Sequence, residues 1–208
     1  MSKWLTALAI SGILTAGILS IWVGTEGGLA WTAESARRLE IRRQPLLLDN
    51  YPLQSTKGGE STLVNNSKSL QIVDFIYTSC PDVCLAMGAE FRDLQTVLSE
   101  FDPANRVQLV SLTFDQENDS IEQLQGYLEA FGAIGARWSA AKFSKSEDLH
   151  SVLDELGVVV IPNEPHGFVH NAAFYLVVSD SVVGIFNIDD TSQLIEEVKW
   201  HLSQLGAS

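Results

Sequence analysis

Cysteine and positive charge are both scarce in this sequence. Two of the 208 residues are cysteine, Cys80 and Cys84, so no third thiol is present to mispair with them in an oxidising compartment. Residues 44–208 carry eight basic and 23 acidic side chains, a formal net charge of −15. Nucleic acid is therefore excluded as a partner, because phosphate binding needs concentrated positive charge. Such a surface repels anions and favours cations or basic protein patches.

The N-terminus carries a long apolar run. Trp4 to Val23 is a stretch of 20 residues without a charge, long enough to cross a bilayer as a helix. A cleavable signal peptide is the alternative, but its apolar region usually has roughly 7–15 residues. A hydrophobic content of 46% excludes a disordered chain. We predict a membrane anchor over residues 1–29, a juxtamembrane tether over 30–44 and one globular domain over 45–208.

The orientation of this anchor is less well specified. Lys3 and the terminal amine favour a cytoplasmic N-terminus. Against export stand four arginines some 14–20 residues after the span, Arg37, Arg38, Arg42 and Arg43. They alternate with acidic residues and lie at the far edge of the window in which such charges act, so the objection they raise is weak.

Apolar periodicity predicts strands that alternate with helices in the domain. After one or two short strands within 46–62, we predict strands over 69–77, 106–114 and 137–143, helices over 84–100, 119–132 and 144–157, a hairpin over 171–188 and a final helix over 191–206. This order predicts an α/β fold with a mostly parallel central sheet, to which the hairpin adds antiparallel members, flanked by helices. Cys80 and Cys84 follow the first core strand, at the end of a sheet where α/β proteins bind ligands.

The two cysteines are separated by three residues, "CPDVC". Pro81 suits the first turn of a helix, which would place Cys80 at the helix entry and Cys84 one turn later on the same face. Helix N–H groups would lower the pKa of both thiols, which serves disulfide exchange and soft-metal binding equally. A dithiol oxidoreductase typically has two intervening residues, and the wider spacing here leaves room for an ion. Cu(I) is soft and accepts a Cys/Cys/His set, so the sequence needs a nearby histidine.

Four histidines are candidates for that third ligand. His150 and His201 lie inside predicted helices, where a solvated or packed role is the simpler interpretation. His166 lies in a Pro/Gly-rich loop, whereas His170 adjoins the start of a predicted core strand and is better fixed in position. His170 is therefore the best candidate, although a loop histidine near a strand is more often structural than a ligand.

Three segments together resemble the Sco/SenC family of membrane-anchored, thioredoxin-fold copper proteins, over about residues 45–205: "DFIYTSCPDVC", "VQLVSLTFDQENDSIEQLQGYLEAFG" and "GFVHNAAFYLVV". The resemblance implies a thioredoxin-like fold behind an N-terminal transmembrane helix. It also implies that Cys80, Cys84 and His170 bind one copper ion, Cu(I) or Cu(II), in a metallochaperone that assists assembly of the copper centre of cytochrome c oxidase. Asp82 would be a supporting or partner-recognition group, or simply an acidic residue favoured at a helix N-terminus.

The resemblance also implies partners: the copper-site subunit of a respiratory oxidase, and other copper chaperones or thiol reductases. Three departures from the family pattern leave the ligands intact, namely Leu85 in place of a second proline, "TFDQENDS" in place of an Asp-Pro-x-x-Asp-Thr loop, and Val169 before the histidine.

A membrane-anchored thiol-disulfide oxidoreductase is the alternative function, with Cys80 attacking and Cys84 resolving. Thioredoxin-type sites usually carry a proline just before the strand that faces the cysteines. Val169-His170 occupies that place here, which favours metal binding. Both functions suit an oxidising compartment, so we expect the domain outside the cytoplasm, on a bacterial inner membrane facing the periplasm.

Overall fold

The computed structural model describes residues 2–28, 30–64, 70–80, 83–163 and 167–206. The chain divides into two compact units, Met1–Pro45 and Leu46–Ser208.

The described residues of the first unit form two helices, α1 (Ser2–Gly24) and α2 (Ala33–Arg43). Within α1, Trp4–Gly24 has a mean hydropathy of 1.9 and is long and apolar enough to cross a membrane. The segment predicted as a tether thus contains a helix, which the polar composition of the segment did not indicate. Helix α2 begins with a capping box formed by Thr32 and Ser35, which satisfies N–H groups at the helix start.

The arginines of α2 are engaged within this unit. Glu34 forms ion pairs with Arg37 and Arg38 one turn further along the helix, and Arg43 pairs with Glu26. These ion pairs hold basic side chains of α2 beside acidic ones.

The described residues of the second unit form ten strands and four helices. The strands are β1 (Leu46–Leu47), β2 (Pro52–Ser55), β3 (Glu60–Thr62), β4 (Leu70–Ile76), β5 (Val107–Thr113), β6 (Trp138–Phe143), β7 (Val160–Pro162), β8 (Phe168–His170), β9 (Ala173–Val178) and β10 (Ser181–Asn187). The helices are α3 (Val83–Phe101), α4 (Ile121–Ala130), α5 (Ser146–Leu156) and α6 (Thr191–Gly206), with a 3-10 turn at Ile188–Asp190.

Eight of these strands form one mixed sheet in the order β1-β10-β9-β4-β5-β6-β2-β3, and β7 and β8 form a separate two-stranded ribbon. A mixed sheet flanked by helices was predicted and is confirmed. The prediction that this sheet is mostly parallel was wrong: among the described residues only β4–β5 and β5–β6 pair in parallel. The reason is that β9 of the closing hairpin pairs antiparallel with β4, and β2 pairs antiparallel with β6.

Strand β4 is the element that positions the cysteines. All seven of its residues, LQIVDFI, are buried, as expected for a strand paired on both edges and covered on both faces. Its carboxyl end leads through a short turn into α3, so that both cysteines follow it directly.

Local capping contacts mark the ends of two helices. Ser120 caps α4 through a capping box with Gln123. Helix α5 ends at Gly157, which has a left-handed φ of 62° that glycine adopts without strain. Elements predicted from strong periodicity are therefore present, with ends displaced by at most two residues.

Candidate metal centre

Cys80 and Cys84 lie at the junction between β4 and α3. The Cys80 amide donates to the Tyr77 carbonyl at 3.3 Å and closes the turn, and the Cys84 amide donates to the Cys80 sulfur at 3.2 Å. Both are free thiols, Cys80 half-buried and Cys84 only 2% exposed. The predicted placement at a helix entry is therefore observed, whereas Pro81 and Asp82 lie outside the described residues.

His170 reaches these sulfurs from a position 86 residues further along the chain. Its Nε2 atom is 3.6 Å from the Cys84 sulfur, and the ligand atoms of Cys80, Cys84 and His170 all lie within 4.8 Å of one another. We predicted that His170 adjoins the start of a core strand. It is instead the last residue of β8, in the separate ribbon, and precedes Ala173, the first residue of the core strand β9, by three positions.

Two of the other three histidines, His150 and His201, lie apart from this cluster. His150 is exposed on α5, with its Nδ1 atom 2.7 Å from the Ser146 carbonyl. His201 is on α6, where its ring packs against Trp200. His166 lies outside the described residues.

The hydrogen bonds of His170 define its tautomer. Its Nδ1 atom lies 3.2 Å from the Asn171 carbonyl oxygen, which can only accept, so Nδ1 carries the proton. Burial lowers the pKa of His170, which keeps the imidazole neutral near pH 7. The lone pair of Nε2 therefore faces the Cys84 sulfur, the arrangement that a metal-binding histidine requires.

The prediction that both thiol pKa values are lowered was wrong for Cys84. Burial raises the pKa of Cys84, and the nearby Cys80 and Asp74 add to the effect. Desolvation of the thiolate thus outweighs the dipole of α3: Cys84 lies in the first turn of the helix, where the dipole acts, but it is enclosed by the fold. In the metal-free protein Cys84 is a thiol that can donate to the free nitrogen of His170.

Four aromatic rings cluster beside the donor atoms. Tyr77, Phe114, Phe168 and His170 lie with ring centroids 5.0–6.3 Å apart, mostly edge to face. Burial raises the pKa of Tyr77, so its phenol stays protonated. The cluster shields one side of the site from water.

Asp119 supports the cysteine turn and was missed by the sequence analysis. Asp119 is 1% exposed, and its carboxylate accepts hydrogen bonds from the Thr78 amide at 3.0 Å and from the hydroxyls of Thr78 and Thr113. Sequence reasoning assigned this residue only to the start of α4, where Ser120 is in fact the capping residue. No local pattern indicates that its side chain joins the ends of β4 and β5.

Asp74 is a second buried carboxylate near the site. It lies in the middle of β4, opposite Ser111 of β5, and is completely inaccessible to solvent. Burial raises the pKa of Asp74 to about 7, with the Ser111 hydroxyl acting in the opposite direction.

The three donors fit one soft or borderline metal ion. Thiolates and a neutral imidazole are the ligand types preferred by Cu(I) and Zn(II). Donors that lie about 2.0–2.3 Å from a common ion are spaced by roughly 4 Å. The observed spacing, within 4.8 Å, is close to that requirement. The structure thus defines a thioredoxin-like domain in which two thiols and an imidazole converge after the first core strand.

Comparison with known proteins places this domain in a family. A sequence profile of the SCO1/SenC family matches residues 40–203, and the chain belongs to that family. A curated relative, the SCO1 protein homolog of Bacillus subtilis (strain 168), is 27% identical over 176 residues, 82% of this chain and 83% of the relative.

Solved structures confirm the fold. BsSco, described as having a disulfide switch and as a member of the Sco family of cytochrome c oxidase assembly proteins, has a TM-score of 0.66 at 23% identity, covering 76% of this chain and 94% of that chain. Yeast Sco1 with copper bound has a TM-score of 0.61 at 20% identity, covering 74% of this chain and 90% of that chain. At such low sequence identity, these structural similarities establish only that the chain has the thioredoxin-like fold of the Sco proteins. Whether it binds a metal must be argued from the residues of this chain.

Proposed function

We propose that this protein binds one copper ion through Cys80, Cys84 and His170 and delivers it during assembly of the copper centre of cytochrome c oxidase. The observation that carries the proposal is the convergence of these three donor atoms, in a chain of the SCO1/SenC family. The description of the yeast and Arabidopsis thaliana relatives as copper-bound supports the choice of metal.

Each ligand has a defined task. Cys84 must lose its proton, and because burial raises the pKa of this thiol, copper binding has to displace the proton rather than find a thiolate already formed. His170 offers Nε2 without a proton change, because Asn171 holds the hydrogen on Nδ1. Cys80 supplies the second sulfur from the turn, where the Cys84 amide fixes its direction.

The exposure of the site suits delivery rather than storage. Cys80 is half-buried and its neighbour Ser79 is exposed, so a partner protein can approach the ion from the side of the turn. Three protein ligands also leave a position at which a partner's ligand can enter, which a closed four-ligand structural site does not offer.

Anchoring and location are part of the same proposal. The apolar helix over Trp4–Gly24 would hold residues 1–29 in the membrane, with 30–44 as a tether and 45–208 outside the cytoplasm, facing the periplasm of a bacterial inner membrane. The copper-site subunit of a respiratory oxidase is the proposed recipient, and other copper chaperones or thiol reductases are proposed to load or reduce the site. A reporter fused after Ser208 that is active only outside the cytoplasm supports this topology, and one active only inside contradicts it.

A copper titration tests the proposal. The reduced full chain in detergent micelles is titrated with Cu(I) against a chelator of known affinity, together with His170→Ala and a Cys80→Ser/Cys84→Ser double variant. We expect one copper per chain, no specific binding in the double variant, and at least about 100-fold weaker binding in His170→Ala, beyond the 10–100-fold typical of losing a supporting group.

The matched control is His150→Ala, which removes an exposed histidine of α5 and should leave the affinity unchanged. Parent-like affinity in His170→Ala would contradict the ligand set. Binding that survives in the double cysteine variant would contradict the site altogether.

Thiol-disulfide exchange is the second candidate, favoured by a half-buried Cys80 beside a buried Cys84 with both sulfurs within 4.8 Å. The Cys80 thiolate would attack a partner's disulfide and release one partner thiolate. The Cys84 thiolate would then attack the mixed disulfide and displace the partner's second thiolate. Cys80 and Cys84 would thereby be oxidised to a disulfide as the partner is reduced to a dithiol. Reduction of a disulfide-bonded test protein, with a reducing agent to regenerate the pair, should be unaffected by His170→Ala if this is the main function.

A further inference from the structure

The ribbon that carries His170 is a small and separate element. Strands β7 and β8 have three residues each and pair only with one another among the described residues. A two-stranded ribbon is marginally stable by itself in water, so side-chain contacts must determine where it lies. The position of His170 depends on those contacts.

Tyr77 makes such a contact from the segment that carries the cysteines. Its phenol oxygen donates to the Phe168 carbonyl oxygen at 3.3 Å and accepts from the Phe168 amide at 3.3 Å. We call this pair of hydrogen bonds the Tyr77–Phe168 bridge. Tyr77 precedes Cys80 by three residues and Phe168 precedes His170 by two, so the bridge joins the two halves of the proposed site.

The pairing register of the ribbon explains why the backbone N–H and C=O of Phe168 can form hydrogen bonds with a group outside the ribbon. The Asn163 amide donates to the Gly167 carbonyl at 2.8 Å, which makes these two residues a hydrogen-bonded pair. Opposed residues alternate between bonded and non-bonded pairs in an antiparallel ladder, so Phe168, opposite Pro162, is a non-bonded one. Both backbone groups of Phe168 therefore point away from β7, towards the phenol.

The chain passes so close to Tyr77 that only glycine fits next to Phe168. Gly167 has a φ of +91°, and a Cβ atom added there would lie 2.8 Å from the phenol oxygen. The rings of Tyr77 and Phe168 also meet edge to face at 5.2 Å. The backbone of Gly167 is thus in a conformation that accommodates the Tyr77–Phe168 bridge.

We propose that Tyr77 is a positioning residue, whose bridge to Phe168 holds the β7–β8 ribbon against the cysteine turn and so sets His170 within reach of the metal. The positioning role depends on the proposed copper function, whereas the bridge itself is present in the metal-free protein. Phenylalanine at position 77 would keep the ring contacts and lose both hydrogen bonds, which makes Tyr77→Phe the informative variant.

Two measurements on the full chain in detergent test the proposal. The first is Cu(I) affinity by chelator competition for the parent, Tyr77→Phe, His170→Ala and the double variant of the two. The second is hydrogen-deuterium exchange of the peptide that contains Phe168–His170, in the metal-free proteins. The control is Tyr51→Phe, which removes a phenol that donates instead to Glu155 of α5.

We expect Tyr77→Phe to weaken Cu(I) binding about 10-fold or more and to speed exchange of the β8 peptide, with β4 still protected and Tyr51→Phe like the parent in both measurements. In the His170→Ala background Tyr77→Phe should change the affinity less than about 2-fold, because a residue that acts through His170 has nothing left to position.

Equal losses in the two backgrounds would overturn the proposal, as would unchanged exchange of the β8 peptide or unchanged affinity for Cu(I). If the parent itself binds no copper specifically, the proposed function fails. Exchange alone then decides the inference: faster exchange in Tyr77→Phe supports the bridge, and parent-like exchange overturns it.

Discussion

Replacing Asp74 with asparagine should change how the stability of the protein depends on pH. Asp74 is completely buried in β4, and burial raises its pKa to about 7. In the unfolded chain an aspartate titrates near pH 4. Between about pH 4 and 7 the folded protein therefore keeps a proton that the unfolded chain has lost.

The sign and size of the effect follow from that difference. Stability falls as pH rises wherever the folded state binds more protons, so the free energy of unfolding should decline from about pH 4 to about pH 7 and then level off. About three pH units at about 1.4 kcal/mol each give a loss on the order of 4 kcal/mol. This is a large part of the roughly 5–15 kcal/mol that stabilises a typical domain.

Asp74→Asn removes the titration and nearly preserves the shape of the side chain. Its buried amide adds a cost of roughly 1–3 kcal/mol that does not vary with pH. We expect the stability of the variant relative to the parent to rise by about 4 kcal/mol between pH 4 and 7, measured by urea unfolding of the metal-free chain at intervals from pH 4 to 8. Asp93→Asn, at an exposed position of α3, should give a curve parallel to that of the parent. Parallel curves for Asp74→Asn, within about 1 kcal/mol, would refute the reasoning.

Two further substitutions test how the site and its supporting helix are held. Asp119→Ala removes the acceptor of three hydrogen bonds from two threonines, so we expect a loss of roughly 2–4 kcal/mol in urea unfolding, and a loss under about 1 kcal/mol would contradict the assigned role. Gly88→Ala would place a Cβ atom 2.6–2.8 Å from three ring carbons of Phe131 and should cost about 1–3 kcal/mol. Gly126→Ala, in α4 with nothing within 4 Å of the added atom, is the matched control and should stabilise by up to about 1 kcal/mol. Equal effects of the two glycine substitutions would show that the contact with Phe131 is not the cause.

Helices, core strands and the placement of the cysteines could be predicted because their signals are local. A capping box acts within four residues, and the periodicity that separates a helix from a strand is complete within two turns. The predicted junction of a strand with a helix therefore placed Cys80 and Cys84 at a helix entry, and Ser120 and Gly157 cap α4 and α5 through contacts of the same short range. His170 was selected from four histidines because it is next to a predicted strand. The resemblance to a known family strengthened the prediction that it is a metal ligand.

Strand pairing and burial were decided by the tertiary structure. The β9–β10 hairpin was visible in the sequence, but nothing local indicated that β9 would pair antiparallel with β4. Burial of Cys84 reversed the direction of the pKa shift expected from its helix, because enclosure depends on elements distant in sequence. The carboxylate of Asp119 and the phenol of Tyr77 reach partners 41 and 91 residues away, and no periodicity extends so far.

The sequence alone therefore determined which donor types are present and which elements carry them, since those properties depend on residue identity and on neighbours within a few positions. Only the tertiary structure decided that the imidazole of His170 meets the thiol of Cys84 at 3.6 Å, with its proton on the far nitrogen. The physical reason is that burial and the pairing of distant strands are properties of the whole packed domain, and they fix both the distance between donors and the protonation of each.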